Sequence, residues 1–316
     1  MLADIPDQRW KTYGLVATGL AVVAYLAAIA SVGFADTAGA LQRVGFRGVI
    51  VALSLSLLNY GLRFARWELY LTALGHPLRH GVSLRMYIAG FAWTLTPAKV
   101  GEALRGVLLA RFGVPLPVSV AALLSERVSD LGAVVLLAMT GLAIYPESQG
   151  LVWVGLAASL LGWYLLSRPR AGSVARRLET ARNGTIRTIA RHVAATLDAS
   201  RLCHRSGLAA AALAIGVAAW MAEAIALYLV LIWMGVEVPL LVAIFAYALA
   251  VLGGALSFMP GGIGGTEAVM IAVLVWQRVP PEIAVASTLL IRLTTLWFAV
   301  VLGLSMLVSF LPRRAD

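Results

Sequence analysis

Charge is scarce in this chain. Of its 316 residues only 13% are Asp, Glu, Lys or Arg, while 61% are hydrophobic and the mean hydropathy is +0.89. A soluble domain carries roughly 25% charge and about half apolar residues, so a soluble globular protein is excluded. The apolar segments are long enough for bilayer-spanning helices and too long for barrel strands. Cysteine is nearly absent. Cys203 stands alone, which rules out an internal disulfide and suggests no cysteine-based metal site. His76 and His80 sit in a loop, and no metal or other cofactor is expected. The glycine run Gly261-Gly262-Ile263-Gly264-Gly265 lacks the preceding strand and the lysine of a nucleotide loop. Acids are also few, 15 against 25 basic residues, and the net charge of +10 is mostly arginine. In an apolar chain this excess reads as orientation and contact with anionic lipid, not as nucleic-acid binding.

What is present is organised around one stretch and its echo. Thr96-Pro97-Ala98-Lys99-Val100-Gly101-Glu102-Ala103-Leu104-Arg105 is followed much later by Met259-Pro260-Gly261-Gly262-Ile263-Gly264-Gly265-Thr266-Glu267-Ala268. Both put Pro and Gly inside an apolar segment and then deliver a Glu. From that Glu the copies stay in register: Val114-Pro115 with Val279-Pro280, Val120-Ala121 with Val285-Ala286, Leu124 with Leu289, Arg127 with Arg292. Upstream, Gly75 and Tyr87 match Gly235 and Tyr247 at equal spacing. A duplication sets the fold and is weighed before local detail.

The chain then reads as one transmembrane domain over 1–316. A first helix covers 12–34 and is expected to be retained, although Ala28-Ile29-Ala30 resembles a signal-peptide cleavage site. A short polar loop follows and a second helix covers about 48–74. Repeat one spans about 48–145. Within it, 82–96 and 98–112 are short helices joined at Pro97. About 15 residues give only about 22 Å of helix, against a hydrocarbon core of about 30 Å. That shortfall predicts a re-entrant hairpin. Long helices follow at 117–145 and 150–167. Residues 168–206 carry nine arginines against Glu179 and Asp198. Val174, Leu178, Ile186, Ile189, Val193 and Leu197 make part of it an amphipathic surface helix. Repeat two spans about 207–311, with helices at 207–234, 238–258, 264–278 and 281–311.

The positive-inside rule puts the arginine-rich segment, and Arg313-Arg314 at the C-terminus, in the cytoplasm. Tracing back from there sends the first hairpin, 82–112, in from the cytoplasm and the second, 238–278, in from the outside. The predicted fold is an all-α polytopic membrane protein. It is an inverted repeat with two Pro/Gly-broken hairpins entering from opposite faces, in the cytoplasmic (inner) membrane. The hairpin tips are Pro97 and Gly101, and Pro260, Gly261, Gly262 and Gly264. Opposed broken hairpins are a recurring transporter design, and half-helix N-termini at their tips suit an anionic group such as phosphate.

Charges at membrane depth default to function. Lys99, Glu102 and Arg105 share one helix face and are expected to line a polar path. Glu267 lies one turn past its tip. Arg127 and Arg292 each follow their repeat's Glu at the same distance, so an Arg–Glu pair within each repeat is expected, either structural or functional. Glu126 and Asp130 bring acids beside Arg127, and Glu223 stands alone in its helix as a coupling-proton site or a hydrogen-bonded structural acid. Arg63 and Arg66, near the cytoplasmic end of helix two, are expected to snorkel to the lipid surface.

Pro97, Gly101-Glu102 and Arg105, then Glu126-Arg127 with Asp130, then Pro260-Gly261-Gly262-Ile263-Gly264 with Glu267 and Arg292 together resemble one family. It is the flippase-like membrane domain of lysylphosphatidylglycerol synthase, found also as stand-alone membrane proteins. The likeness runs over roughly 12–310. It implies movement of a charged lipid between leaflets. The chain is expected to correspond to the translocation part alone, without the synthase domain. Stand-alone members are associated with several envelope lipids, so the resemblance implies no particular substrate. Lys99 and Arg105 favour an anionic head group.

The expected function is therefore a lipid flippase or lipid transporter, not an enzyme, since no convergent nucleophile, metal cluster or nucleotide motif appears. The expected partners are a membrane lipid substrate, anionic lipids at the arginine-rich segment and a lipid-synthesis enzyme. Two alternatives stand: a small-solute or ion transporter of similar architecture, and a membrane scaffold subunit of a lipid-biosynthetic enzyme.

Overall fold

The computed structural model describes residues 34–94, 105–141, 149–168, 172–173, 176, 184–257 and 259–308. The expected first helix at 12–34 and the first hairpin tip, with Pro97, Lys99, Gly101 and Glu102, lie outside the described residues. The described residues form helices α1 (Phe34–Ala73), α2 (His80–Gly90), α3 (Arg105–Ala110), α4 (Leu116–Met139), α5 (Gln149–Ser167), α6 (Gly184–Cys203), α7 (Ser206–Trp233), α8 (Leu240–Leu256), α9 (Gly265–Trp276), α10 (Pro281–Arg292) and α11 (Phe298–Val308). Short 3-10 turns follow α2 at Phe91–Trp93 and precede α9 at Pro260–Gly262, and a π-helical turn, Leu293–Trp297, joins α10 to α11. No strand occurs among the described residues.

Three described stretches are long and apolar enough to cross a membrane: Ala38–Ala73, Ser206–Trp233 and Pro281–Leu307. The last two centre the buried core. Leu227, Val230 and Leu231 of α7 pack with Phe245 and Leu249 of α8 and with Ala286 and Ile291 of α10. Small residues let these helices close up, as membrane interfaces require. A Cβ on Gly155 would lie 2.8 Å from Val135, and one on Gly162 would lie 2.9 Å from Val128, so α5 packs antiparallel on α4.

The α1–α7 pair has the same antiparallel sense. Arg43 donates to the Met234 carbonyl (3.2 Å), Asn59 to the Ala219 carbonyl (2.9 Å), and the Arg66 guanidinium lies where a Cβ on Gly216 would come within 3.0 Å. As α1 advances, its contacts on α7 recede. The spacing that separates Gly75 from Gly235 and Tyr87 from Tyr247 also separates Asn59 from Ala219. Gly75 and Gly235 both end their helices with positive φ, 78° and 86°. Gly113 and Arg278 do so at matching places after α3 and α9, with φ of 78° and 61°. The matched prolines Pro115 and Pro280 both precede a helix.

Two sequence expectations change. The segment after Phe34 is not a loop. It is helical up to Gly45, whose φ of 62° and ψ of 177° break the helix. Ala40 and Val44 bury one face there, and Arg43 caps the end of α7, which satisfies a terminal carbonyl. The helix expected at 281–311 is not continuous α-helix either. At Leu293–Trp297 it widens to π geometry, with the Thr294 and Thr295 hydroxyls donating back to Leu290 and Ile291 carbonyls and Tyr60 donating to the Thr295 carbonyl. Such turns recur at functional sites. The expected amphipathic helix is α6. Its small residues, Ala190, Ala194 and Ser200, are buried, while Ile186, Ile189 and Val193 stay exposed.

Candidate functional site

The charged side chains converge because helical spacing aims them at one place. On α1, Tyr60 and Arg63 stand three residues apart and share a face. On α4, Glu126 and Asp130 do the same. On α7, Trp220 and Glu223 sit one turn apart. With Tyr247 of α8, the Gly261-Gly262 turn, Thr266 of α9 and Arg292 of α10, these residues enclose a cavity of about 370 Å³. Its charged lining is Arg63, Arg105, Arg127 and Arg292 against Glu126, Asp130 and Glu223. The rest of the wall is mostly apolar or aromatic, including Phe91, Leu131, Val251 and Leu296.

Asp130 is the hub of the first cluster. It accepts from Arg66 at 2.6 Å, from Arg63 at 3.2 Å and from the Trp220 indole at 3.2 Å, and Arg127 lies 4.0 Å away. The Arg63 guanidinium also stacks 5.3 Å from the Trp220 ring centre. Here the expectation that Arg63 and Arg66 reach the lipid surface fails. Arg66 is fully buried, and Arg63 lines the cavity. Asp130 neutralises the charge, and the missing side chain at Gly216 leaves room for the guanidinium. The partner and the space both come from other helices.

Arg105 forms the second cluster. It pairs with Glu126 at 2.7 Å and lies 3.8 Å over Trp67 and 5.3 Å from Tyr87. Gly90 leaves space for its stem, since a Cβ there would meet Arg105 Cδ at 3.2 Å. The sequence placed Arg105 on one face with Lys99 and Glu102; its partner among the described residues is Glu126, on the next helix.

The third cluster is the expected Arg–Glu pair of repeat two. Arg292 Nε donates to Glu267 at 2.6 Å, and Arg292 Nη2 donates to the Gly261 carbonyl at 2.8 Å. One side chain thus ties α10 to α9 and to the glycine turn. Gly261, Gly262 and Gly264 have φ of 62°, 69° and 83°, backbone that side chains resist. Pro260 opens this turn. A Cβ on Gly262 would also come within 2.7 Å of the Thr266 hydroxyl. Arg292→Lys should insert and fold but cannot hold both acceptors. Losing a charged hydrogen bond costs about 1.5–3 kcal/mol. The melting temperature in detergent is expected to fall by several degrees; an unaltered melting temperature would show that the clamp does not hold these elements together.

Glu223, 4% exposed, faces Tyr247, whose hydroxyl donates to it. Sequence reasoning missed the aromatic half of the site: Tyr60, Trp67, Tyr87, Trp220 and Tyr247. Tyr87 and Tyr247 carried a signal as repeat matches, and Tyr60 and Trp220 each stand one turn before a charged residue that lines the same cavity. No group of His, Cys, Asp and Glu suited to a metal ion occurs among the described residues.

Chemically, the arrangement holds several guanidinium groups at depth, each beside a carboxylate or an aromatic face, around a space bounded by apolar side chains. It can receive an anionic group with apolar surface beside it.

Two UPF0104 membrane proteins of Methanothermobacter thermautotrophicus (strain ATCC 29096 / DSM 1053 / JCM 10044 / NBRC 100330 / Delta H) are similar over nearly their whole length. One is 22% identical over 325 residues, 95% of this chain and 96% of the relative. The other is 25% identical over 303 residues, 90% of each. The family model described as the lysylphosphatidylglycerol synthase TM region matches residues 14–303. The chain is a membrane protein that belongs to the lysylphosphatidylglycerol synthase TM-region family.

Proposed function

We propose that this protein is a transporter that moves a lipid with an anionic, phosphate-bearing head group between the leaflets of the cytoplasmic membrane. The observation that carries this reading is the cavity. Four arginines face a space of about 370 Å³ whose remaining wall is largely apolar. A phosphodiester is matched by guanidinium groups, and the apolar wall accommodates the chain attached to it. A small inorganic ion would not need such a wall. The chain acts on the lipid by binding and release, without making or breaking covalent bonds.

The antiparallel α1–α7 pair supports an inverted repeat. Asn59 and Ala219 occupy matching positions of the two copies, and they touch. Contact between equivalent positions is what a pseudo-two-fold axis through the pair produces. In this reading α8 and α9, joined by the Pro260–Gly262 turn, form the second re-entrant hairpin, and the first enters from the other face. The arginine-rich segment and the C-terminus face the cytoplasm, and the exposed Ile186, Ile189 and Val193 of α6 lie in the interface, with neighbouring arginines toward anionic lipid.

The functional test uses the purified protein in phosphatidylcholine vesicles carrying a trace of fluorescent phosphatidylglycerol. Dithionite quenching reads the fraction that has left the inner leaflet. Transbilayer movement should exceed that of protein-free vesicles several-fold, and labelled phosphatidylcholine should lag. If neither lipid moves faster than in protein-free vesicles, a lipid substrate is ruled out and a small-solute transporter gains.

Topology is tested with single cysteines at Leu116 and Glu282. Native Cys203 is buried, and burial pushes its thiol up to about 11, so background labelling is low. A membrane-impermeant thiol reagent on intact cells should spare position 116 and label position 282. Equal labelling of both would sink the inverted repeat.

A further inference from the structure

We propose that Glu223 is a proton-binding site coupled to the anion, so that one proton is taken up as the anionic head group enters the cavity. This rests on the reading of the cavity as an anionic-lipid site and adds the coupling ion. The acids that hold the arginines are otherwise occupied: Glu126 with Arg105, Asp130 with Arg66 and Arg63, Glu267 with Arg292. Glu223 lines the same cavity, yet no ion pair reaches it among the described residues. Its partner is a neutral donor, the Tyr247 hydroxyl.

The groups that face Glu223 come from every element around it. Arg63 and Tyr60 lie on α1, Asp130 on α4, Tyr247 on α8 and Arg292 on α10. Two of these, Arg63 and Arg292, are cations that an incoming phosphate would also contact. An anion drawn to them sets a second negative charge beside an ionised Glu223. Like charges in a low-dielectric space repel strongly. Protonation of Glu223 removes the repulsion while Tyr247 keeps a hydrogen-bond partner. By linkage, a proton that favours the anion must be favoured by the anion in return. The same reciprocity makes the inward and outward steps sensitive to a proton gradient. Arg63 and Glu223 also occupy matching positions of the two copies, separated by the spacing that links Asn59 to Ala219, so a cation in one copy is answered by an acid in the other.

The test is binding of dioctanoyl phosphatidylglycerol, whose phosphodiester does not titrate near neutrality, to purified protein in detergent. Calorimetry in buffers of different ionisation enthalpy counts the protons exchanged. The wild type should take up close to one proton per lipid bound near neutral pH, and through that same range its affinity should weaken about tenfold per unit rise in pH. Glu223→Gln mimics the protonated acid and retains a partner for Tyr247. It should bind at least as tightly, with no proton uptake and no pH dependence. Melting temperature in detergent establishes that the variant is folded. If Glu223→Gln unfolds, the comparison passes to Tyr247→Phe, which leaves the acid in place and should still take up the proton. Binding without proton uptake by the wild type, or uptake retained in Glu223→Gln, overturns the coupling and leaves the anionic-lipid reading intact. No binding by the wild type at any pH between 5 and 9 overturns both.

Discussion

Asp130→Ala is expected to be the most damaging single substitution at the site. The carboxylate holds Arg66 at 2.6 Å and Arg63 at 3.2 Å, with Arg127 at 4.0 Å. Removing it leaves Arg66, which has no exposed surface, as a buried cation without its counter-ion. Breaking a buried pair from one side costs on the order of 3–5 kcal/mol, comparable to much of a domain's stability. The variant should be recovered in low yield, with a melting temperature in detergent well below that of the wild type. Replacing both members with apolar residues of similar volume is often neutral. The double variant Asp130→Leu with Arg66→Met should therefore regain much of the lost stability. Because Arg63 and Arg127 still line the cavity without Asp130 between them, that stable double variant should transport poorly. A double variant no more stable than Asp130→Ala would show that the pair is not what holds these helices together.

The second large effect is expected at Gly303. On α11 it stands one turn after Ala299, a small-residue stripe of the kind that lets membrane helices touch backbone to backbone. What it touches is the 3-10 turn after α2. A Cβ on Gly303 would overlap the Ala92 backbone nitrogen and lie 2.6 Å from the Phe91 carbonyl carbon. Backbone cannot rotate away as a side chain can, so the two segments must separate. Overpacking of this kind costs typically about 1–3 kcal/mol and sometimes more. Phe91 and Ala299 both line the cavity, and Tyr60 packs against Phe91 and Phe298 at ring-centre distances of 5.1 and 6.2 Å. Separation would open that wall. Gly303→Val is expected to lower the melting temperature by several degrees and to change lipid movement, with Gly303→Ala intermediate. Wild-type stability in both variants would show that α11 does not approach the turn this closely.

Much of the helix order was legible because hydrophobic runs and their Gly and Pro boundaries are local signals. Gln149–Ser167, Ser206–Trp233, Leu240–Leu256 and Gly265–Trp276 fall within about two residues of the segments read from the sequence, and Leu116–Met139 begins one residue before the segment read as 117–145 but ends six residues short of it. The Arg292–Glu267 pair was legible too. Position after the tip and the matching arginine in the other copy marked both residues, and helix packing brought them together. The fate of Arg66 was not legible. Nothing within its own turn distinguishes a snorkelling arginine from a buried one, because the carboxylate comes from Asp130 and the space from Gly216. The π-helical turn at Leu293–Trp297 escaped for a related reason. Its widened ring leaves the Thr295 carbonyl to Tyr60, a residue far away in the chain.

By itself, then, the sequence determined that the chain lives in a bilayer, where most of its described helices run, that the segment at Pro260–Gly262 breaks, and that two stretches echo each other. These follow from composition and from signals a few residues long, which act before any tertiary contact forms. The tertiary structure decided which charge meets which: Asp130 with Arg63 and Arg66, Glu126 with Arg105, and Glu223 with the Tyr247 hydroxyl. In a low-dielectric interior a charge is tolerated only where a partner lies within a few ångströms. Such distances between residues far apart in sequence are set by how the helices pack.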